Sequence, residues 1–321
     1  MTEQYTYQVA RVRVRELSLL NKQDIDSLMA CKSYEEGLTF IKDKGFGTSE
    51  EKDLEELLAS ETEKLWSFMK ELLKDLSVFD VLLCKTDYNN IKAAIKSTVT
   101  GKTHDKIYKS GGTVNIETLV KAVTENEFSL LPKEMIEPAK KAYQTILKTR
   151  DGQLCDMILD KACLESILKA GDTAEDSLVK DYAELTVAIA NIKIAVRCEK
   201  TSKSFAFIKD ALVPCKTLDA QKLAVASAKN SEEIYSYLAN TKYSASVEML
   251  KESNSAFEKW CDDKVMELVK KQKTNPFTIG PLMAYVIARE NEINAVKIIL
   301  ASKRGGLKDE IIRERLREMY V

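Results

Sequence analysis

Apolar residues recur along this chain at intervals of three and four, which is the spacing of amphipathic α-helices. The last segment, from Gly280 to Val321, shows the pattern most clearly. A long helix is predicted to begin at Pro281, where no amide hydrogen is needed, and to end at Gly305 and Gly306. A short amphipathic helix that closes on an aromatic residue follows. The chain is therefore predicted to be all-α.

The rest of the chain has the same spacing. Helices are predicted over residues 5–20, 24–31, 33–44, 49–76, 79–100, 115–125, 133–148, 151–170, 178–199, 219–228, 231–240 and 244–272. Near the start, the stretch ARVRVRE alternates as a strand does, but Val9 and Val12 share one helical face. Ser33 followed by Glu36 predicts a capping box. A turn is predicted at residues 171–173.

Internal similarities indicate repeated units. Residues 30–49 resemble residues 227–246, and each copy leads into a long helix that contains a tryptophan. The stretch DYNNIK at 87–92 aligns with EINAVK at 292–297, and its NIK recurs at 191–193. The period is about one hundred residues. We therefore expect one compact helical body over residues 1–321, with repeat units 1–76, 77–179 and 180–279 and a partial closing unit at 280–321.

Composition narrows the class of protein. The chain has 321 residues, of which 45% are hydrophobic and 31% are charged, and its formal net charge is -1. Such a balance favours a folded helical protein and provides no overall positive field for nucleic acid or anionic membranes. The seven cysteines are scattered without a CxxC pair, which indicates a reducing compartment. No signal sequence or membrane span is apparent, so we expect a cytoplasmic protein that reaches a membrane only through a partner.

The sequence contains few residues in patterns that support catalysis. His104 is the only histidine and lies in a predicted loop. No serine or cysteine stands in a nucleophile motif such as GxSxG, and neither phosphate-binding glycine motif is present. The cysteines lack the spacing of metal ligands. The sequence therefore predicts a non-catalytic protein without a cofactor.

Three acidic residues lie within apolar helical stripes, namely Glu16, Asp87 and Glu292. A carboxylate that leaves water needs a partner, or it will hold a proton. Arg289 is three residues before Glu292 and can pair with it on one helix face. Structural ion pairs are the more frequent explanation. The alternative is that acids at matched positions of several units face a shared central opening.

A basic cluster near the start, formed by Arg11, Arg13 and Arg15, also allows two interpretations. A solvated helix face is the commoner role of such a run of charge. The alternative is a surface that meets an acidic partner. The terminal stretch IIRERLREMYV is amphipathic. Packing onto the body of the protein is the favoured interpretation, and docking of a partner helix is the alternative.

The two ends of the chain carry a resemblance to a known family. The opening YTYQVARVRVRELSLLNKQDIDSLMACKSYEEGLTFIKDKGFG resembles the start of the C subunits of the bacterial and archaeal V/A-type ATP synthases, which are relatives of the d subunits of eukaryotic V-type ATPases. The closing elements GPLMAYVIARENEIN, VKIILASKRGGL and IRERLREMYV are similar to that family's C-terminus. LLCKTDYNNIKAAIK and LTVAIANIKIAV extend the resemblance through the middle.

The resemblance implies a specific architecture and role. It implies a funnel-shaped protein of three pseudo-symmetric helix-bundle units around a central opening. It also implies a non-catalytic rotor component of the central stalk, a socket between the shaft made by the D and F subunits and the membrane ring of c/K subunits. Such a socket transmits torque during coupled ATP turnover and transport of protons or sodium ions. The candidate interface or funnel-lining residues are Arg11, Arg13, Arg15, Asp87, Arg289 and Glu292.

Two departures from the family pattern concern individual charges. The last long helix has Ala295, Val296 and Lys297 where the family tends to carry Asn-Leu-Arg, and the second matched helix has Ala188 where the others have an acid. These differences weaken any claim that a single charge is indispensable. The alternative function classes are a general helical-repeat scaffold and an all-α enzyme. Repeats of about forty residues or fewer would favour the scaffold, and convergent titratable groups in a pocket would favour the enzyme.

Overall fold

The computed structural model describes residues 5–48, 51, 53–102 and 107–321. Over these ranges the chain forms sixteen α-helices and three short 3₁₀ turns, with no β-strand. The predicted all-α class is thus confirmed. The chain divides into two compact units. The funnel shape and the three-unit repeat stay predictions.

Unit 1 combines the beginning and the end of the chain, Met1–Leu76 and Ala245–Val321, with the short segment Asp176–Leu178. Its helices are α1 (Thr6–Glu16), α2 (Lys22–Ala30), α3 (Tyr34–Asp43) and α4 (Leu54–Leu72) from the first part, and α13 (Ser246–Glu252), α14 (Asn254–Lys270), α15 (Gly280–Arg304) and α16 (Asp309–Arg315) from the last. A 3₁₀ turn, Lys271–Thr274, follows α14.

Unit 2 holds the middle of the chain, Ser77–Glu175 and Val179–Ser244. Its helices are α5 (Asp80–Thr100), α6 (Ile116–Thr124), α7 (Lys133–Thr149), α8 (Gly152–Thr173), α9 (Ser177–Lys200), α10 (Phe205–Ala211), α11 (Ala220–Ser227) and α12 (Ser231–Ala239), and the first two residues of α9 belong to unit 1. The 3₁₀ turns Ser77–Phe79 and Phe128–Leu130 precede α5 and α7.

Side-chain caps fix where the helices of unit 1 begin. Asn21 and Asp24 form a reciprocal capping box at the start of α2. Ser33 caps α3 as predicted, but the carboxylate of Glu36 accepts from the amide of Lys32 instead of closing the box on Ser33. Asp53 caps α4, so this helix begins later than the predicted residue 49. Each cap satisfies an amide that the first turn leaves without an intrahelical partner.

Two further sequence predictions about helix ends are wrong, and one short helix was missed. The predicted helix 244–272 is two helices, because Ser253 adopts an extended conformation and its hydroxyl caps α14. The predicted turn at 171–173 is the last turn of α8, where the missing side chain of Gly171 lets α8 lie against Ala183 of α9. Helix α10 was not predicted. It is only seven residues long, too short to show a clear period.

The core of unit 1 is organised around α15, most of whose residues are buried. Apolar side chains of α2, α3 and α4 pack against its second half. The buried cluster consists of Leu20, Ile25, Leu28, Met29, Ile41, Phe46, Leu54, Leu57, Leu58, Ala295, Val296, Ile299, Leu300, Ile312 and Met319. Each buried Leu or Ile stabilises the fold by about 1.5–3 kcal/mol. The first and last quarters of the sequence therefore share one core.

Candidate subunit-interaction site

The three arginines of α1 have different environments. Arg11 is half-buried, and its guanidinium donates to the carboxylate of Glu71 at 2.8 Å and to the hydroxyl of Tyr7 at 2.7 Å. Solvent screens this exposed ion pair, so it contributes little to stability. Arg11 therefore lies at the surface but already has partners within its own unit.

Arg13 points toward the body of unit 1. It donates to both carboxylate oxygens of Glu16 at 2.8 Å, and to the carbonyl oxygens of Gln272 at 2.5 Å and Asn275 at 3.0 Å. The hydroxyl of Tyr320 donates to Glu16 at 2.9 Å, and burial followed by the Glu16 charge raises the pKa of Tyr320. Glu16 thus joins α1 to the C-terminal segment.

Arg15 is exposed. Its guanidinium carbon lies 5.1 Å from the ring centroid of Phe68, which in turn packs edge-on against Tyr285 at 6.0 Å. Within the described ranges Arg15 forms no ion pair. A guanidinium that rests on an aromatic ring keeps its donors free for a planar acceptor such as a carboxylate.

A buried ion triad lies between α4 and α15. Glu61 of α4 and Glu292 of α15 are each 1% exposed, and the guanidinium of Arg289 hydrogen-bonds to both carboxylates. The pairing of Arg289 with Glu292 that the spacing predicted is observed. The ring of Phe46 lies under the guanidinium, 4.3 Å from its carbon to the centroid. The triad connects residues from both ends of the sequence.

Backbone amides complete the coordination of the two carboxylates. The amide of Leu20 donates to Glu292, and the amide of Gly47 donates to Glu61 at 2.6 Å. Gly47 has a φ of 73°, a left-handed conformation that glycine adopts without strain. Lys64 also donates to Glu61, at 2.6 Å. The loops that follow α1 and α3 are therefore bonded to the triad.

Two opposing effects set the pKa values in the triad, namely burial, which disfavours charge, and ion pairing, which favours it. Desolvation raises the pKa of Glu292, although Arg289 and the amide of Leu20 favour its ionised form. Desolvation lowers the pKa of Arg289, but the two carboxylates raise it, and the net direction is upward. Arg289 is consequently a permanent cation between two acids.

Asp87 is the corresponding buried acid of unit 2. It is 2% exposed, and its carboxylate accepts from the amide and hydroxyl of Thr113 at 3.0 and 2.7 Å and from the amide of Val114 at 3.1 Å. A side chain at Gly112 would collide with this carboxylate. Asp87 therefore binds the segment before α6, and the described residues that donate hydrogen bonds to it, Thr113 and Val114, belong to unit 2.

Two asparagines at matched positions make the same contact. Asn90 of α5 bonds through its amide group to the carbonyl and amide of Lys109, both at 2.8 Å. Asn191 of α9 does the same with Val213, at 2.7 and 3.0 Å. Each holds a later loop against a buried helix. These two positions came from the NIK match in the sequence.

Glu61 is the site residue that sequence reasoning missed. It stands in the apolar stripe of α4 between Leu58 and Leu65, at the same helical spacing that identified Asp87 and Glu292. An in-phase acid was therefore the signal that could have identified it. Its partner Arg289 lies 228 residues away, which no local pattern indicates.

Other chemistry is sparse in the described ranges. His104 lies outside them. Within them, no three His, Cys, Asp or Glu side chains are placed to hold a metal ion, and no helix is both long and apolar enough to cross a membrane. Cys84 of α5 donates a hydrogen bond to Cys163 of α8, which raises the pKa of the first thiol and lowers that of the second.

Comparisons with known proteins extend over almost the whole chain. Residues 8–315 match the family described as ATP synthase (C/AC39) subunit. The chain is 26% identical to the C subunit of the A-type ATP synthase of Methanocaldococcus jannaschii, over 97% of this chain and 86% of the relative. It is 27% identical to the corresponding A-type protein of Methanobrevibacter smithii, over 96% and 86%. It is 20% identical to the C subunit of the V-type sodium ATPase of Enterococcus hirae, over 96% and 97%.

Proposed function

The chain belongs to the ATP synthase (C/AC39) subunit family, and from that premise we propose that it is the central-stalk socket of an A/V-type ATP synthase or ATPase. In this role one side receives the end of the shaft made by the D and F subunits, and the other rests on the membrane ring of c/K subunits. The match over residues 8–315 carries the proposal. The general scaffold is set aside because a single family accounts for nearly the whole chain.

A socket that transmits torque must be stiff, and unit 1 has suitable connections. The triad of Glu61, Arg289 and Glu292 bonds α4 to α15, with Phe46 packed beneath it. Arg13 bonds α1 to the segment after α14. Close packing makes protein interiors resist deformation. A twisting force on α1 or α4 would therefore pass directly to the last helices of the chain.

The candidate residues divide into two groups under this proposal. Arg13, Asp87, Arg289 and Glu292 already have partners within their own unit and act as parts of the frame. Arg11, which is paired with Glu71 at the surface, and Arg15, which has no ion pair among the described residues, lie on the outer side of α1 and are the residues that face another protein of the assembly. The protein itself would catalyse nothing, and would be held at the cytoplasmic face of the membrane through its partners.

Reconstitution tests this function. The catalytic head with its D–F shaft and the membrane ring in vesicles are mixed with and without the purified chain. We expect the chain to bind both, and ATP-driven ion transport to require it, while ATP hydrolysis by the head persists without it. A folded chain that bound neither the D–F pair nor the ring would contradict the socket role. Unchanged ion transport after its removal would do the same.

A further inference from the structure

Helix α1 exposes an apolar stripe to solvent. Leu17, at its C-terminal cap, is 87% exposed, Val14 is 68% exposed and Tyr7 is 64% exposed, whereas the other exposed large hydrophobic side chains of the described residues reach at most 43%. Single exposed hydrophobics are ordinary on protein surfaces. Here the three most exposed ones share one face of a single helix, with exposed Ala10 between them.

The opposite side of α1 is fixed to unit 1. Val9 and Val12 are buried at 4% and 0%, and Arg13 is bonded to two carbonyl groups of the body. The exposed stripe is therefore presented on a helix held in place, which lowers the entropy lost when something binds it. The strand-like alternation of ARVRVRE results from this arrangement, because Val12 faces inward and Val14 faces outward.

Charge at the edge of the stripe indicates the chemistry of the partner. Arg11 and Arg15 lie along one edge, one turn apart, and Arg11 is already paired with Glu71. Arg15 is exposed on the ring of Phe68 and has no acidic partner among the described residues. A carboxylate from a bound molecule would form a charge-assisted, two-pronged hydrogen bond with this guanidinium.

We propose that the stripe of Tyr7, Ala10, Val14 and Leu17 docks an amphipathic helix of another protein of the ATP synthase assembly, with a carboxylate of that helix placed on Arg15. The stripe runs over eleven residues, from Tyr7 to Leu17, a rise of about 15 Å along the helix, which matches three turns of an opposing helix. Side-chain packing between two helices is the available mode, because the amides of α1 are used within its own turns. The proposal rests on membership of the assembly and not on the socket role.

A membrane surface fits these residues less well. Helices that lie on anionic bilayers present several Lys and Arg residues on the polar face and Trp, Phe or Leu on the other. Here Val14 and Ala10 form the centre of the stripe, and Arg15 is the exposed arginine of α1 that has no ion pair within the described residues. A helix with small apolar residues and one acid complements that pattern better.

Site-specific crosslinking in the intact assembly tests the proposal. A photoreactive phenylalanine derivative replaces Val14, and the crosslinked peptide is sequenced by mass spectrometry. Leu147 of α7, 43% exposed, receives the same derivative as a control. We expect Val14 to capture one peptide of another protein of the assembly, with apolar residues at helical spacing and an Asp or Glu beside them. Crosslinks to lipid, to a second copy of this chain, to a peptide without such spacing or to nothing would each overturn it.

Matched variants then test the charge. Val14→Asp is expected to weaken binding of the captured protein about tenfold, since it removes a valine from the apolar contact and places a carboxylate there. Arg15→Glu should weaken it similarly, and replacing the captured carboxylate by arginine should restore binding to this variant. Absence of that rescue would refute the Arg15 contact. If the assembly transports ions normally while the photoreactive residue at position 14 captures nothing, the docking surface is refuted and the socket role is not.

Discussion

Replacement of Arg289 by methionine isolates what the buried triad contributes. Methionine keeps an apolar side chain over Phe46 but leaves Glu61 and Glu292, each 1% exposed, without their shared cation. Two charge-assisted hydrogen bonds are lost, and breaking a buried pair in this way costs about 3–5 kcal/mol. We expect Arg289→Met to lower the free energy of unfolding of unit 1 by that amount at pH 7.

The loss should depend on pH with a defined sign. Burial already raises the pKa of Glu292, and removal of Arg289 raises it further. A carboxyl group whose pKa is higher in the folded state stabilises the fold below its unfolded value of about 4.3, and this stability is lost as pH rises through the folded pKa. The deficit of Arg289→Met relative to the parent protein should therefore be smallest near pH 4.5 and grow toward pH 7.

Urea unfolding followed by tryptophan fluorescence is the assay, because Trp66 and Trp260, the only two tryptophans, both belong to unit 1. Arg313→Met is the control, since Arg313 forms an exposed ion pair with Asp26 at 2.8 Å, worth less than about 1 kcal/mol. The triple variant Glu61→Gln, Arg289→Met, Glu292→Gln should recover most of the free energy of unfolding that Arg289→Met loses. An Arg289→Met deficit below about 1 kcal/mol at pH 7, or one that does not change with pH, would refute the reasoning.

Two further predictions concern single contacts. Gly112→Ala places a methyl group against the carboxylate of Asp87 and should destabilise unit 2 by about 1–3 kcal/mol; thermal unfolding followed by circular dichroism measures this, and an unchanged midpoint contradicts it. An added small-molecule disulfide should oxidise Cys84 and Cys163 to a disulfide before other thiol pairs; peptide mapping without reduction checks this, and another preferred pair would contradict it.

The spacing of hydrophobic residues was sufficient to predict the all-α class and the approximate positions of most helices. Helix α9, for example, was expected over 178–199 and spans Ser177–Lys200. Prediction failed at positions where a local sequence signal disagreed with the tertiary contacts. Gly171 resembles a helix stop in the sequence but serves close packing against Ala183, and Ser253 looks like an ordinary helical residue but acts as a cap. Such outcomes are decided by tertiary contacts and not by propensity.

The site was predictable in part for a similar reason. Spacing alone identified Glu292 with Arg289, and the acid at Asp87, because a charge within an apolar stripe must find a partner. It did not reveal that Glu61 would join Arg289 from a distant helix, or that a loop amide would complete each carboxylate. Nor could it distinguish inward Arg13 from outward Arg15, since both are arginines in a helix whose orientation depends on its neighbours.

The division of unit 1 between the two ends of the chain has a consequence for biosynthesis. Residues 77–175, which precede the second half of unit 1, form most of the other unit and can fold while the chain is still being made. Helices α1 to α4 must wait, because their core partners on α15 and the Tyr320 partner of Glu16 emerge from the ribosome only after the residues of unit 2. During that interval the exposed faces of α1 to α4 are natural substrates for a chaperone. We therefore expect nascent chains of this protein to need a ribosome-associated holding chaperone, even though the completed fold is stable.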